Sequence, residues 1–475
     1  ILLTTPFVDN SHRTEFPLSL SRSERLGEFL RVAHWNIERG LEYEAVEAAF
    51  SSRERFEALL DSEEFPPGSE ERREILEQAG ELRKADIIVL NEVDLGMKRT
   101  GYRNIVRDLA ARLGMNYAFG VQFVELTPVH LSHQNLTDEK EKKLAESLKV
   151  DESRYKGLHG LAILSRFPLE NVRLVPFKTQ PYDWYKAEKK GASMLESGKR
   201  KIAKTLFLEE ILSEVRRGGR TTLLADVVDS RLPSGRVTIA ATHLENRTKS
   251  KNRVKQLEEL LEILKDIRNP VILSGDMNTS GSDLTPTSFR RELIKRYGNV
   301  NYVIKQVIQY ALGFGLVEDA ALGALGFGRK YADPTVRHIP FILPNRAAKF
   351  FTTLKKFRFA DGGAFDFRGE KLRSFNNKKK MLANSNERGS KGFVTTFQVK
   401  RPLYILGKYK LDWFFIKPAS LTNPSDRKQS YQFAPHFGRT LFAVNEAVEN
   451  RISDHRPMIV DLPLNEPLIE VKRES

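Results

Sequence analysis

The sequence contains no cysteine among its 475 residues. This absence excludes disulfides and thiolate metal sites. Long apolar runs are also missing: no segment approaches the roughly 18 uninterrupted apolar residues of a membrane-spanning helix, so we expect no transmembrane segment. The chain begins at Ile1 and not at Met, and its opening stretch, ILLTTPF, is too short for a signal peptide. We expect a cytoplasmic protein, and export stays open because this stretch could be the end of a longer leader.

The composition is that of an ordinary globular protein, with 40% hydrophobic and 29% charged residues. The net charge of +15 is concentrated in residues 345–401, which hold 15 Lys and Arg against four Asp and Glu and therefore carry +11. The same stretch contains nine phenylalanines. Basic residues interleaved with aromatics suit a nucleic acid, whose phosphates bind the cations and whose bases stack on the rings. The alternative is a solvated loop with a small hydrophobic core beneath it.

Short apolar runs that end in polar residues alternate with helix-like stretches along the chain. Apolar residues recur at helical spacing in residues 104–113 and 253–267, which predicts two helices. The alternation of strands and helices predicts a layered α/β fold. Ten apolar runs are predicted as strands: Val32–Ile37, Asp86–Leu90, Tyr117–Phe119, Leu161–Ser165, Val172–Phe177, Thr222–Val228, Val237–Thr242, Val271–Ser274, Leu411–Ile416 and Met458–Asp461.

Polar side chains follow several of these runs, at the point where a strand is expected to end. Taken singly, each has a structural explanation, because an asparagine can close a turn, an aspartate can cap a helix, and a lone histidine is usually part of the core. His34 and His159 keep this structural interpretation, since neither has a partner pattern in the sequence. The candidate site residues are Asn36, Glu92, His243, Asn246, Asp276, Asn278, Asp412, Asp454 and His455.

Asp276 and Asn278 show the pattern most clearly, in the segment VILSGDMNTS. Residues two apart in an extended backbone point the same way, so both side chains can reach one small object. Carboxylates and carboxamides without thiolates form a hard oxygen environment that suits Mg²⁺ or Mn²⁺. Asparagine and histidine groups nearby suit a phosphate oxyanion. Together the candidate residues indicate metal-assisted hydrolysis of a phosphoester.

The ordered series WNIERG, LNEVD, ILSRFP, THLEN, SGDMN, LDWFF and SDHRP resembles the endonuclease/exonuclease/phosphatase superfamily. The resemblance implies a four-layer α/β sandwich, in which two mixed β-sheets pack face to face between helices. On this basis we expect an N-terminal extension (1–28), one catalytic domain (29–465) and a C-terminal tail (466–475). Long insertions within the catalytic domain are expected near residues 132–153, 182–219 and 280–409.

The resemblance implies a metal site and a phosphate contact. Glu92 would be the principal metal ligand, with Asn36 beside it and Asp454 completing the metal or water shell. The metal is expected to be Mg²⁺, with Mn²⁺ as a substitute. Asn246 would contact a phosphate.

The same resemblance implies a catalytic group. Asp276 would orient and deprotonate the attacking water, and Asn278 would help to hold that water or the phosphate. His455, steered by Asp412, would contact the scissile phosphate. His243 occupies the position at which phosphodiesterase members of the family carry a histidine and abasic-site enzymes carry a tyrosine.

We therefore expect a Mg²⁺-dependent phosphodiesterase that acts on DNA or RNA as a nuclease and contacts the nucleic acid through residues 345–401. One alternative keeps the chemistry and moves the substrate to an anionic membrane surface, as a sphingomyelin- or phosphoinositide-type headgroup. A second alternative, of another class, is a catalytically silent binding protein on the same fold.

Overall fold

The computed structural model describes most of the predicted catalytic domain. The tail expected at 466–475, and most of the three expected insertions, lie outside the described residues. The described residues are 1–12, 20–24, 26–126, 150–189, 215–279, 348–369, 385–389, 392–403, 406–419, 421–422, 433, 436–448 and 451–464.

Strands and helices alternate through the described residues, as the apolar pattern predicts. The strands are β1 (Phe7–Asp9), β2 (Ser21–Ser23), β3 (Gly27–Arg39), β4 (Ile87–Leu95), β5 (Asn116–Glu125), β6 (Leu158–Ser165), β7 (Leu169–Pro176), β8 (Arg216–Gly218), β9 (Thr221–Val228), β10 (Arg236–His243), β11 (Val271–Asp276), β12 (Arg388–Gly389), β13 (Gly392–Phe393), β14 (Phe397–Leu403), β15 (Leu406–Tyr409), β16 (Asp412–Lys417), β17 (His436–Thr440) and β18 (Met458–Pro463). The helices are α1 (Tyr43–Ser51), α2 (Arg53–Ala58), α3 (Glu70–Leu82), α4 (Ile105–Leu113), α5 (Trp184–Lys189), α6 (Ser250–Leu264), α7 (Ala348–Lys356) and α8 (Phe442–Asn445).

Each of the ten predicted strands overlaps an observed strand, and both predicted helices are present as α4 and α6. The start of α4 follows from its sequence, because the Asn104 side chain accepts a hydrogen bond from the Arg107 backbone N–H at 3.2 Å. Its end follows as well, because Gly114 takes the left-handed conformation with a φ of 62°. Among the described residues, none of the helices combines the length and apolar composition that crossing a bilayer requires.

Two mixed sheets form the frame of the molecule. The larger sheet follows the path β1-β5-β6-β4-β3-β18-β17, with β2 added on β3 and β8 on β5. The smaller sheet has the order β16-β11-β10-β9-β7. In the larger sheet β3 and β4 are parallel, and in the smaller sheet β10 and β11 are parallel. Because parallel neighbours end at the same edge of a sheet, the polar residues at the ends of each pair lie side by side.

Three hydrophobic clusters separate four layers. Val32 and Ile239 belong to the cluster that fills the space between the two sheets. Ile75 of α3 belongs to the cluster on the outer face of the large sheet, and Leu257 of α6 to the cluster on the outer face of the small sheet. The order helices, sheet, sheet, helices confirms the predicted sandwich. Residues 1–28, expected as an extension, contribute β1 and β2 to the large sheet.

The phenylalanines of the basic stretch 345–401 are mostly part of the core. Six of the nine side chains are buried in the cluster on the outer face of the small sheet, where they pack against Trp413 and Phe415, and they are therefore closed to stacking with a nucleotide base. For these side chains the structure supports the alternative of a hydrophobic core beneath the basic residues. The six are Phe350, Phe351, Phe359, Phe365, Phe367 and Phe393.

Candidate active site

Three neighbouring strands of the small sheet bring one site residue each to the same edge. His243 at the end of β10 is the register partner of Asp276 at the end of β11, and Asp276 is the register partner of Asp412 at the start of β16. Gly275 allows the close approach of β10 and β11, because a Cβ at this position would lie 1.9 Å from the Thr242 carbonyl oxygen. Strand register therefore brings together His243 of THLEN, Asp276 of SGDMN and Asp412 of LDWFF.

Asp276 and Asn278 are linked to each other as well as facing the site. The Asn278 backbone N–H donates to Oδ1 of Asp276 at 2.7 Å, and its side-chain amide donates to Oδ2 at 3.3 Å and to the Leu244 carbonyl at 2.9 Å. Asn278 has a φ of 44°, a left-handed conformation that asparagine tolerates better than most residues. The predicted pair is thus brought together, and Asn278 holds the Asp276 carboxylate in place.

Asp412 is a fully buried carboxylate shared by two histidines. Its Oδ2 accepts a hydrogen bond from Nδ1 of His455 at 2.7 Å, and its Oδ1 accepts one from Nε2 of His34 at 3.0 Å. Burial alone would raise the pKa of Asp412, but the charge of His455 and the two hydrogen bonds hold it well below its ordinary value. Burial likewise opposes the charge of His455, yet Asp412, Asp454 and Asp276 raise its pKa well above the ordinary value. The pair therefore consists of a carboxylate and an imidazolium.

His243 differs in charge from His455. Its side chain is buried, and neither ring nitrogen has a hydrogen-bond partner among the described residues. Burial, reinforced by Arg220 and His159, lowers the pKa of His243 well below its ordinary value, which leaves a neutral ring. Nε2 of His243 lies 3.4 Å from Oδ2 of Asp276. A buried ring with both nitrogens unpartnered beside a carboxylate is suited to a polar ligand such as water or phosphate.

Asp276 has the acidity expected of a base that works near neutral pH. Burial raises its pKa to about 7; the charge of His455 opposes this rise, and that of Asp412 adds to it. Oδ2 of Asp276 lies 3.8 Å from Nε2 of His455, so it sits between the imidazoles of His243 and His455. A carboxylate in this position can accept a proton from a molecule bound between the two rings.

A second cluster, of carboxylates and one carboxamide, lies at the ends of β3 and β4. The Asn36 side-chain amide donates to Oε1 of Glu92 at 3.2 Å, and its Oδ1 accepts the backbone N–H of Glu38 at 3.2 Å. Oε2 of Glu38 accepts the backbone N–H of Asp454 at 2.9 Å. The three predicted metal ligands are therefore brought together, and Glu38 joins them.

The carboxylates of this second cluster are close enough to perturb one another. Burial raises the pKa of Asp454 to about 8, and the charges of Glu38 and Glu92 add to this rise against the charge of His455. Burial also raises the pKa of Glu38, with Glu92 contributing in the same direction. Three half-buried acids that repel one another, with only oxygen donors, fit a hard divalent cation. Glu38 stands two residues after Asn36, as Asn278 does after Asp276, but both have a left-handed backbone, with φ values of 45° and 44°, so the shared-face rule for extended strands explains neither pair.

Asp276, Asp412 and His455 also lie close enough to hold a metal ion, with one ligand atom from each within 4.8 Å of the others. Nδ1 of His455 and both oxygens of Asp412 are already engaged in hydrogen bonds within the histidine–aspartate network. Among the described residues, the Glu38, Glu92 and Asp454 carboxylates accept fewer such bonds but do not converge as closely, so the assignment of the cation to the second cluster stays a prediction.

Asn246 is not brought into either cluster. It is exposed in the bend after β10, and its side chain forms no hydrogen bond with the other described residues. The neighbouring Glu245 points inward instead and accepts hydrogen bonds from the Trp184 indole at 3.1 Å and from Arg220 at 3.3 Å. The phosphate contact expected for Asn246 stays a prediction.

His34 and His159 are both paired with an aspartate, although the sequence offered no partner for either. His34 binds Asp412, and Nδ1 of His159 lies 2.8 Å from Oδ1 of Asp94. His159 is close enough to Glu92 to help lower the pKa of that acid, although burial opposes the change and Arg39 contributes more. Asp94 is 65 residues from His159, and Asp412 is 378 residues from His34, so no local pattern could reveal these pairs.

Comparison with known proteins finds a family match. A family model described as the Endonuclease/Exonuclease/phosphatase family matches residues 33–346, which include Asn36, Glu92, His243 and Asp276. No curated protein matches the chain at a significant level.

The solved structures that match the chain share little sequence with it. An endonuclease/exonuclease/phosphatase from Beutenbergia cavernae is 18% identical with a TM-score of 0.39, over 93% of this chain and 73% of that one. The human Nocturnin catalytic domain with bound sulfate is 15% identical with a TM-score of 0.39, and the match covers 92% of this chain and 94% of that one. An AP endonuclease from Archaeoglobus fulgidus is 12% identical with a TM-score of 0.41, and the match covers 91% of this chain and 99% of that one.

Proposed function

This chain belongs to the endonuclease/exonuclease/phosphatase family, whose members are phosphoesterase hydrolases, and from that premise we propose that it is a Mg²⁺-dependent phosphodiesterase that cleaves DNA or RNA. The observation that carries the proposal is the placement of Asp276 between a neutral His243 and a cationic His455. A base and two imidazoles around one small space suit a water molecule attacking a phosphate.

The cation would be held by the second cluster, with Glu92 and Asp454 as charged ligands and Asn36 and Glu38 beside them. When bound there, a divalent ion would withdraw charge from a phosphate oxygen, and Mn²⁺ would replace Mg²⁺ because both prefer oxygen donors. The half-buried acids favour such an ion, since the charge of Glu92 raises the pKa of Glu38 and of Asp454, and Glu38 raises that of Asp454 as well.

Asp276 would accept the proton of the attacking water. A base is most effective when its pKa lies near the working pH, and the value of about 7 meets this condition. Its two oxygens are held by the hydrogen bonds from Asn278, so one orientation of the carboxylate toward the phosphate is favoured.

His455 and His243 would bind the scissile phosphate in different ways. The imidazolium of His455 is balanced by Asp412 on Nδ1, which leaves Nε2–H to donate to a phosphate oxygen. The neutral ring of His243 carries one N–H and can donate a single hydrogen bond beside Asp276. Both donors lie in a buried site, where such bonds are stronger than in water.

A nucleic acid is the substrate that the charge distribution favours. Residues 345–401 carry +11, and the described part of this stretch includes α7, which buries Phe350 and Phe351 and exposes Lys355 and Lys356. Since six of its nine phenylalanines are buried, the stretch would contact phosphates mainly by charge. Phe397 is the exception, because it is half-buried and packs edge-on against His455, with 5.0 Å between ring centroids. A phospholipid headgroup on an anionic membrane is the second candidate, because the same exposed lysines would also bind such a surface.

A hydrolysis panel tests the proposal. Purified protein with Mg²⁺ is assayed on plasmid DNA, single-stranded RNA, sphingomyelin vesicles and inositol phosphates, with Asp276→Ala as the blank. We expect cleavage of DNA or RNA that the variant lacks. Cleavage of only the lipid or inositol substrates would move the proposal to the headgroup candidate, and no cleavage of any substrate would overturn it.

A further inference from the structure

We propose that His34 is a positioning residue, which fixes the Asp412 carboxylate from the side opposite His455 and thereby holds the His455 ring in its working orientation. This role rests on the proposed function, because it concerns the same hydrolytic site. His34 would touch neither phosphate nor metal and would act only through Asp412.

The geometry gives Asp412 two imidazole partners on separate oxygens. His34 Nε2 lies 3.0 Å from Oδ1, and His455 Nδ1 lies 2.7 Å from Oδ2. Rotation about the last torsion of an aspartate is soft, so a carboxylate held at one oxygen only can swing and carry its partner with it. A second bond at the other oxygen removes this freedom and fixes the plane of the carboxylate.

The bond from His34 also crosses between the two sheets. His34 lies on β3 of the large sheet and Asp412 on β16 of the small sheet, while His455 precedes β18, which pairs with β3. His34 and Asn36 are two residues apart on β3 and therefore point toward the same face. One strand thus positions both parts of the site, since Asn36 binds Glu92 and His34 binds Asp412.

The surroundings of His34 indicate that the Nε2 bond is the reason for a histidine here. The ring is fully buried and packs edge-on against Phe414, with 6.3 Å between centroids. Its Nδ1 has no hydrogen-bond partner among the described residues. Burying a nitrogen without a hydrogen-bond partner costs free energy, so an apolar side chain would fill this space more favourably than histidine. The hydrogen bond from Nε2 to Asp412 offsets the cost of the unpaired Nδ1.

A purely structural role and a positioning role make different predictions for two polar replacements. Glutamine can place its amide N–H close to the position of Nε2, whereas asparagine is shorter by one methylene and cannot reach Asp412. The variants His34→Gln and His34→Asn are therefore a matched pair of similar polarity. A role in filling space alone would make them differ only in thermal stability, whereas a positioning role makes them differ in kcat.

The test measures hydrolysis of bis(p-nitrophenyl) phosphate and thermal unfolding for wild type, His34→Gln, His34→Asn, Asp412→Asn and the double variant His34→Asn/Asp412→Asn. Wild type compared with Asp276→Ala first shows whether the proposed function holds. We expect His34→Asn to lower kcat about tenfold, the effect of one lost hydrogen bond, with KM little changed, and His34→Gln to restore most of it.

The double variant separates action through Asp412 from an independent effect. We expect His34→Asn to cost nothing further in kcat when Asp412 is already replaced, whereas an independent role would lower kcat by the same factor again. The downfield proton NMR signal of the His455 Nδ1–H provides a readout that does not depend on activity. It should persist in His34→Gln and be lost or shifted in His34→Asn; an unchanged signal in both, or additive effects on kcat, would overturn the proposal.

Discussion

His243 and Asp276 are register partners on adjacent parallel strands, and their side chains meet with 3.4 Å between Nε2 and Oδ2. The backbone ladder of β10 and β11 therefore sets the separation of the proposed base from the neutral imidazole. Asp412 continues the same row on β16, where it binds His455. A site built on strand ends in this way is held more rigidly than one built on loops.

His243→Ala should lower kcat by at least about a hundredfold, because the site loses a hydrogen-bond donor to the phosphate. A water molecule would replace this donor poorly. The variant should stay folded, as measured by thermal unfolding. His12→Ala, which changes a histidine outside the site, serves as the control and should keep wild-type kcat. Near-wild-type kcat in His243→Ala would remove this residue from the mechanism.

Gly275→Ala should damage both the fold and the activity, since the added Cβ would meet the Thr242 carbonyl oxygen at 1.9 Å and push β10 away from β11. We expect the free energy of unfolding to fall by about 1–3 kcal/mol, as for overpacked cores. We expect kcat to fall by a larger fraction than the free energy of unfolding does. Gly80→Ala in α3 is the matched control and should be neutral or stabilising, because alanine favours a helix. Equal stability of the two variants would contradict this account of Gly275.

Activity at saturating Mg²⁺ should depend on pH through Asp276, because the bound ion would keep Asp454 ionised although its own pKa is raised to about 8. Its pKa is raised to about 7, so below that pH the carboxyl group is protonated and cannot accept a proton from water. We expect kcat/KM to rise as pH increases from about 6 to 8, with an apparent pKa near 7. His455 keeps its charge across this range, because its pKa is raised well above the ordinary value. A flat profile between these limits would contradict the assignment of Asp276 as the base.

Removing the metal should abolish hydrolysis, and Mg²⁺ or Mn²⁺ should restore it, whereas Ca²⁺ should restore less because it prefers a larger and looser shell. Glu38→Gln should raise the Mg²⁺ concentration needed for half-maximal activity by about tenfold, since it removes one charge from the carboxylate cluster. The same substitution at the exposed Glu77 of α3 is the control. Equal Mg²⁺ requirements for the two variants would exclude Glu38 from the cation site.

Nucleic-acid binding should depend on the exposed cations at the end of α7. Replacing Lys355, Lys356 and Arg358 by glutamine should reduce the slope of log K against log salt concentration by about two to three. The control variant replaces Arg53, Arg73 and Lys84, exposed cations in the helical layer on the far side of the large sheet. Identical salt slopes for the two triple variants would show that α7 does not contact phosphate.

The strands and the fold class were predictable because their signals are local. An apolar run such as Val271–Ser274 predicts its own strand, and the side chains at i and i+2 predict a shared face. The rule could not identify Glu38, because β3 is irregular after Asn36 and Glu38 has a left-handed φ of 45°.

Two features could not be predicted from the sequence. One is a contact between residues far apart in the chain, and the other is a sequence pattern that is compatible with two different structures. The pairing of His34 with Asp412 joins positions 378 residues apart in the chain, so sequence spacing carries no trace of it. The phenylalanines of 345–401 illustrate the other case, because aromatics among cations suit both a nucleic-acid platform and a buried face beneath a charged surface. Burial of six of the nine, among them Phe351 against Trp413, supports the second interpretation for these side chains.

Metal-dependent cleavage of a labelled oligonucleotide by wild type and Asp276→Asn tests the central claim most directly. The substitution keeps the size of the side chain and its hydrogen bonds to Asn278 in part, but it removes the base. With DNA and RNA oligonucleotides as parallel substrates, we expect Mg²⁺-dependent cleavage of at least one by wild type and a rate at least about a hundredfold lower in Asp276→Asn. Equal rates for the two proteins, or no metal-dependent cleavage of either oligonucleotide by wild type, would contradict the account.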